Sequence, residues 1–181
     1  MVSHKNIVLI GFMGTGKSTV GKILAKKMNR ALVDIDHLIE EKEKRKIFEI
    51  FEKEGEDYFR RLEKKVILDV ASHSGQVITT GGGAVMDAEN LAALRSNGLL
   101  VALTATPETI YRRVKDARHR PLLKSQDVTG EIRRLLEART PVYKTADLCF
   151  ASDGQTGPQV AARILEALEK EEEFEYGKDW F

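Results

Sequence analysis

The apolar residues of this chain fall into short unbroken runs, separated by longer stretches in which they recur every three or four positions. Residues 6–12 form a continuous apolar run, the pattern of a strand buried on both faces. Residues 18–30 follow, with Val20, Ile23, Leu24 and Met28 on one helical stripe. Residues 31–35 read as a short second strand. A long, charged, helical stretch covers residues 36–73, where Phe59, Leu62, Val66 and Val70 recur at helical spacing. Residues 76–80 read as a third strand closed by Gly81-Gly82-Gly83, residues 87–97 as a helix stopped by Gly98, and residues 99–104 as a fourth strand. Thr106-Pro107 opens another helix, with threonine as cap and proline in the first turn; Ile110 and Val114 mark its buried side. Residues 115–130 carry charge, a proline and a glycine, and read as a mobile loop. Residues 131–139 are helical, and Pro141 kinks or restarts that helix. Residues 147–151 form a fifth strand, and residues 157–172 a final helix on Val160, Ile164, Leu165 and Leu168, ahead of an acidic tail over 171–181.

Strands alternating with helices predict an α/β fold of three layers, a central five-stranded parallel sheet with helices on both faces. Crossovers should be right-handed, and ligands should bind at the carboxyl ends of the strands. The length, 181 residues without repeats or a low-complexity linker, fits one domain over 1–181. A formal net charge of +1 carries no basic footprint of the kind nucleic-acid binding needs. The single cysteine, Cys149, excludes an internal disulfide and a cysteine-rich metal site. It sits in the run Leu148-Cys149-Phe150-Ala151, which predicts a buried, inert thiol. No apolar stretch approaches membrane-spanning length, and residues 1–6 lead straight into a short strand-like run rather than a secretory signal, so a cytoplasmic location is expected.

Between the first strand and first helix stands Gly11-x-x-x-x-Gly16-Lys17-Ser18, the phosphate-binding loop in its required context. Backbone N–H groups of Gly14, Thr15, Gly16, Lys17, Ser18 and Thr19 can turn toward phosphate oxygens, helped by the positive end of the helix. Lys17 can reach the transferred phosphate, and the Ser18 hydroxyl can ligate Mg²⁺. A chance glycine-rich turn is the bland alternative. The motif identifies a nucleotide site and leaves the phosphate acceptor open, since GTPases, motor ATPases and small-molecule kinases share it.

Five further stretches narrow the choice: Asp34-Ile35-Asp36, Phe59-Arg60-Arg61-Leu62-Glu63, Gly81-Gly82-Gly83, Arg118-His119-Arg120-Pro121-Leu122-Leu123 and Arg139-Thr140-Pro141-Val142-Tyr143. In this order behind a phosphate loop, the chain resembles the shikimate kinases over nearly its whole length. The resemblance implies a nucleoside-monophosphate-kinase-like fold of the P-loop class, with a substrate-binding subregion at about 36–63 and a lid at about 115–127. It implies ATP and Mg²⁺ as cofactors, and transfer of the ATP γ-phosphate to the 3-hydroxyl of shikimate. It also favours a monomer.

The residues support this chemically. Asp34 and Asp36 stand two apart at a strand end and point the same way if the segment is extended. By resemblance Asp36 contacts the shikimate hydroxyls and is the candidate base, while Asp34 lies near the metal, through water; Asp36 also precedes a helix and would serve equally as its N-cap. Arg60 and Arg139 offer planar forks of donors for a carboxylate, and by resemblance both hold that of shikimate. Either arginine alone reads as a solvated helix face in a chain with 29 basic residues. Glu63, three residues after Arg60, can orient it on one helical face. Gly81, Gly82 and Gly83 allow close backbone approach to a ligand, or simply a flexible turn. Phe51 and Phe59 match aromatics that wall the substrate ring, although helix packing explains them as well.

A kinase must keep water from ATP, and mobile loops usually do this. Arg120 matches the family arginine that folds onto the phosphates, with Arg118 assisting, and the two would neutralise charge on the transferring group. Arg113 matches an arginine that stacks on adenine. The loop at 152–158 should cover the other face, with Gln155 as its contact. Residues Arg45-Lys46-Ile47-Phe48 depart from the family, which more often has a glycine-containing turn there. Three competitors remain: another small-metabolite kinase such as gluconate kinase, a GTP-binding switch, suggested by Asp127-Val128-Thr129-Gly130, and a catalytically inactive binding module, against which the intact Lys17, Ser18 and Asp36 argue. The second lacks any Asn-Lys-x-Asp guanine motif.

Overall fold

The computed structural model describes residues 4–115 and 127–176. Its elements run β1 (Asn6–Ile10), α1 (Lys17–Met28), β2 (Ala31–Asp34), α2 (Ile35–Glu43), α3 (Ile47–Ala71), β3 (Gln76–Thr79), a 3₁₀ turn (Ala84–Met86), α4 (Ala88–Ser96), β4 (Gly98–Thr104), α5 (Pro107–Val114), α6 (Val128–Tyr143), β5 (Leu148–Ala151) and α7 (Gly157–Tyr176). Among the described residues the strands form one parallel sheet in the order β2-β3-β1-β4-β5.

β1 lies at the centre, with Ile7 opposite Val77 on one side and Leu99 on the other. Its apolar run has a direct cause. Ile7 and Leu9 point into the core beneath α1 and α7, against Val20, Leu24, Val160 and Ile164. Val8 and Ile10 point into the opposite core, with Ile39, Ile67, Ile110 and Ile132. All four apolar side chains of β1 are fully buried, and burying one of that size is worth about 2 kcal/mol. β2 and β5 are edge strands and carry exposed positions. That overturns the expectation for Cys149: on β5 its thiol is exposed, because the outermost strand has one uncovered face there.

Three local features differ from the expectation. The stretch over 36–73 is two helices, not one. Lys44 takes a left-handed conformation (φ 52°) and ends α2 without glycine. The following turn is bonded instead by Glu40, whose carboxylate accepts from Ile47 N and Lys46 Nζ. α3 bends again at Gly55 (φ 82°). Further on, α6 starts at Val128 and runs unbroken through Pro141, which does not restart it: it lies in the last turn, where the helix closes with the Lys144 N–H bonding back to Thr140 and Val142. Asp127 caps α6 through the Gly130 N–H, which accounts for the Asp-x-x-Gly spelling as a helix start. Elsewhere the expected cap holds, with the Thr106 hydroxyl accepting from Thr109 N at the start of α5.

The order of strands reverses direction at β1, since β3 and β2 lie to one side and β4 and β5 to the other. A crevice at the carboxyl ends of the strands follows from that reversal. The phosphate loop, the end of β2 and the glycine triplet after β3 all open onto it.

Candidate active site

Residues 11–16 join β1 to α1, and the loop is held by its own side chains. Thr15 donates from Oγ1 to the Phe12 carbonyl at 2.8 Å and is itself buried, so its hydroxyl braces the loop. Lys17 Nζ donates to the carbonyls of Gly11 (2.7 Å) and Phe12 (2.9 Å). Gly14, Gly16, Lys17, Ser18 and Thr19 line one wall of a cleft of about 790 Å³.

The far wall and floor hold the residues expected on the acceptor side. Asp34, Asp36, Phe51, Phe59, Arg60, Gly81, Gly82, Gly83 and Arg139 line the same cleft, with Glu63. Asp34 ends β2 and caps α2, accepting from His37 N at 3.2 Å; the cap is Asp34 and not Asp36. Its other oxygen accepts from the Ser18 hydroxyl at 3.2 Å. Asp36 sits in the first turn of α2, so the pair meets at a strand-to-helix junction rather than along an extended segment. Loss of water around it pushes the Asp36 carboxyl up from 3.8 to about 6; Asp34 and Glu63 add to the rise, and Lys17 opposes it.

Arg60 is held on α3 by two carboxylates. Nη1 donates to Glu63 Oε2 at 2.6 Å, and Glu56 Oε1 accepts from Nη2 at 3.0 Å and Nε at 3.2 Å. Its guanidinium also lies over the Phe59 ring, 5.3 Å from the centroid, while Phe51 stacks on Phe59 at 4.8 Å. Glu63 is 1% exposed, and its Oε1 has no hydrogen-bond partner among the described residues. Burial pushes the Glu63 carboxyl up, opposed by Arg60. Arg139 reaches the cleft from α6 and lies over the Phe12 ring, 5.3 Å from the centroid. The glycines are there for room: a Cβ on Gly83 would stand 2.7 Å from Arg60 Nη2, and one on Gly81 would stand 2.8 Å from Asp36 Oδ1.

Arg113 projects from α5 and ties two loops together. Its Nη1 donates to Gly14 O (3.0 Å) and Ser152 Oγ (2.9 Å), and Nη2 to Ser152 O (2.8 Å). Gln155 lies in the turn after β5, bonded to the Ala151 carbonyl and to Arg163, and is not among the residues that line the cleft. Arg118, His119 and Arg120 lie outside the described residues, as does most of the expected lid. Sequence reasoning missed Glu56, whose spacing of four from Arg60 was the available signal, and Phe12, whose aromatic platform had none.

A Mg²⁺ ion fits this donor set. Ser18 and Asp34 bring a hydroxyl and a carboxylate into contact, both hard oxygen donors. Among the described residues no cluster of three or more His, Cys, Asp or Glu could hold a metal alone. That suits Mg²⁺ shared between one or two carboxylates and substrate phosphates.

A family model described as shikimate kinase matches residues 13–169. The chain belongs to the shikimate kinase family. A shikimate kinase of Thermodesulfovibrio yellowstonii is 43% identical over 92% of this chain and 96% of its own length. One of Caldicellulosiruptor saccharolyticus is 47% identical over 89% and 93%. Among solved structures, the shikimate kinase of Acinetobacter baumannii in complex with shikimate covers 92% of this chain and 94% of its own, with TM-score 0.89 and 36% identity. A gluconokinase of Sinorhizobium meliloti shares the fold, at TM-score 0.63 and 16% identity. Membership makes the chain an ATP-dependent kinase that works with Mg²⁺. Among the described residues no helix is long and apolar enough to cross a membrane.

Proposed function

We propose that this chain transfers the γ-phosphoryl group of ATP to the 3-hydroxyl of shikimate, giving ADP and shikimate 3-phosphate on the route to aromatic amino acids, with the residues of the cleft in the following roles. One observation carries the assignment: a single cleft has the phosphate loop on one wall and Asp36, Arg60, the glycine triplet and Arg139 on the other. Shikimate has one carboxylate and three hydroxyls on a small ring. Arg60 and Arg139 supply two guanidinium groups for the carboxylate, each resting on an aromatic face. Phe51 and Phe59 wall the ring, and Asp36 with Gly81, Gly82 and Gly83 addresses the hydroxyls.

On the donor side, Gly14, Thr15, Gly16, Lys17, Ser18 and Thr19 surround the phosphates, with backbone N–H groups and the N-terminus of α1. Arg113 and Gln155 serve the adenine end; Arg113 already bridges the phosphate loop and the turn after β5. Ser18 and Asp34 would hold Mg²⁺, Asp34 through water, and the bound ion would neutralise phosphate charge. Asp36 accepts the proton of the 3-hydroxyl as that oxygen bonds to phosphorus and the bond to the ADP oxygen breaks. A carboxyl raised to about 6 is a better base than an ordinary aspartate and is still ionised at neutral pH. Lys17 and, from the segment outside the described residues, Arg120 stabilise the charge on the transferring group. Catalysis is then mainly positioning and electrostatics. Residues 1–181 work in this reading as one kinase domain, monomeric and cytoplasmic.

Asp36→Ala tests the central role. Transfer should be nearly abolished while ATP still binds, measured by calorimetry. Full turnover in this variant would remove Asp36 from the mechanism.

A further inference from the structure

Tyr143 ends α6 one turn beyond Arg139 and is 3% exposed. Its hydroxyl donates to the carbonyl of Gly82 at 2.6 Å. Arg139 lies beside that phenol, close enough for its charge to bear on it. One hydroxyl therefore anchors the middle of the glycine triplet, beside a predicted substrate arginine. Gly82 in turn is wedged between the two halves of the site. A Cβ on it would lie 3.3 Å from the backbone N of Met13, 3.6 Å from the Gly11 carbonyl oxygen and 3.5 Å from Arg139 Nη1. The triplet thus touches the phosphate loop on one side and Arg139 on the other. A phenylalanine would fill the same space beneath the cleft, so packing alone does not call for the hydroxyl.

We propose that Tyr143 is a positioning residue for phosphoryl transfer: its hydroxyl fixes the Gly82 backbone and so holds the triplet in place between the Arg139 guanidinium and the phosphate loop. The proposal rests on the acceptor-side reading given above. Tyr143 touches neither substrate in this account; it sets where two groups that do touch shikimate stand. Burial pushes its own ionisation up to about 12, so it remains a hydrogen-bond donor at any pH used to assay a kinase. Loss of the hydroxyl frees the triplet, and with it the backbone against which Arg139 stands, while the ring keeps its packing. The loss should appear in acceptor binding, by about three- to tenfold, the usual worth of one net hydrogen bond.

The experiment compares wild type with Tyr143→Phe. Constants for shikimate and ATP come from steady-state kinetics, ATP affinity alone from calorimetry, and Tm from thermal unfolding. The expected result is a shikimate KM raised about three- to tenfold, a smaller change in kcat, and an ATP Kd within about twofold of wild type. In the double variant with Arg139→Ala, the added effect of Tyr143→Phe should shrink, because both act on the placement of Gly82. An unchanged shikimate KM overturns the proposal, as does an equal weakening of both substrates that tracks a fall in Tm. Wild type that turns over ATP without regard to shikimate would remove the acceptor reading itself, and this inference with it. Normal wild-type turnover with a silent Tyr143→Phe removes the inference alone.

Discussion

Asp36→Asn keeps the shape of the side chain and removes its charge, and it should make the protein more stable at neutral pH while disabling it. The Asp36 carboxyl is pushed from 3.8 to about 6, chiefly because the folded chain strips water from it and then because Asp34 and Glu63 lie nearby. Between those values the folded chain binds more protons than the unfolded chain, so stability falls as pH rises. The favourable contribution is complete below pH 3.8 and gone above about 6. A displacement of that size corresponds to about 3 kcal/mol. The side chain keeps some solvent contact, which trims the figure to about 2 kcal/mol. For a domain of this length that is a Tm difference of roughly 4–8 °C. The assay is thermal unfolding of both proteins from pH 4 to 8, with a chelator present so that bound metal does not mask the charge. The variant should match wild type near pH 4 and melt higher by that margin at pH 8. A difference that does not change with pH, or a variant that melts lower at pH 8, would refute the electrostatic argument.

Other substitutions separate the parts of the site. Arg139→Ala should raise the shikimate KM by more than about tenfold and leave the ATP KM within about twofold, since one charge-assisted contact is lost on the acceptor side only. Gly83→Ala places a Cβ 2.7 Å from Arg60 Nη2 and should push the guanidinium off Glu63, weakening shikimate severalfold with little change in Tm. Gly11→Ala acts on the fold instead: Gly11 has φ 133°, and a Cβ there would overlap the Leu103 carbonyl oxygen. It should cost about 2–4 kcal/mol, read as a lower denaturation midpoint.

The strands were legible because β1, β3 and β4 are covered on both faces and so appear as unbroken apolar runs. The donor half was legible because the phosphate loop needs fixed residues at fixed spacing between a strand and a helix. The acceptor half was legible only through family resemblance, since Arg60 and Arg139 are far apart in sequence and meet through tertiary packing. What the chain did not disclose depended on such packing too. Lys44 ends α2 in a left-handed conformation that lysine rarely adopts, supported by bonds from Glu40 to residues beyond the turn. Pro141 forfeits one bond, from its own position to the Glu137 carbonyl, but α6 ends two residues later, so the helix has little length left to disturb. Cys149 read as buried because a run of apolar residues does not reveal whether its strand lies at the edge of the sheet. The cap on α2 went to Asp34 rather than Asp36, a shift of two residues that decides which carboxylate is free to face a substrate.

ADP release by the wild-type protein with ATP and Mg²⁺, with shikimate and, separately, gluconate as acceptor, decides whether this cleft is built for shikimate. Release that depends on shikimate, with gluconate at the background rate, is the predicted result. Release with gluconate and none with shikimate would contradict it.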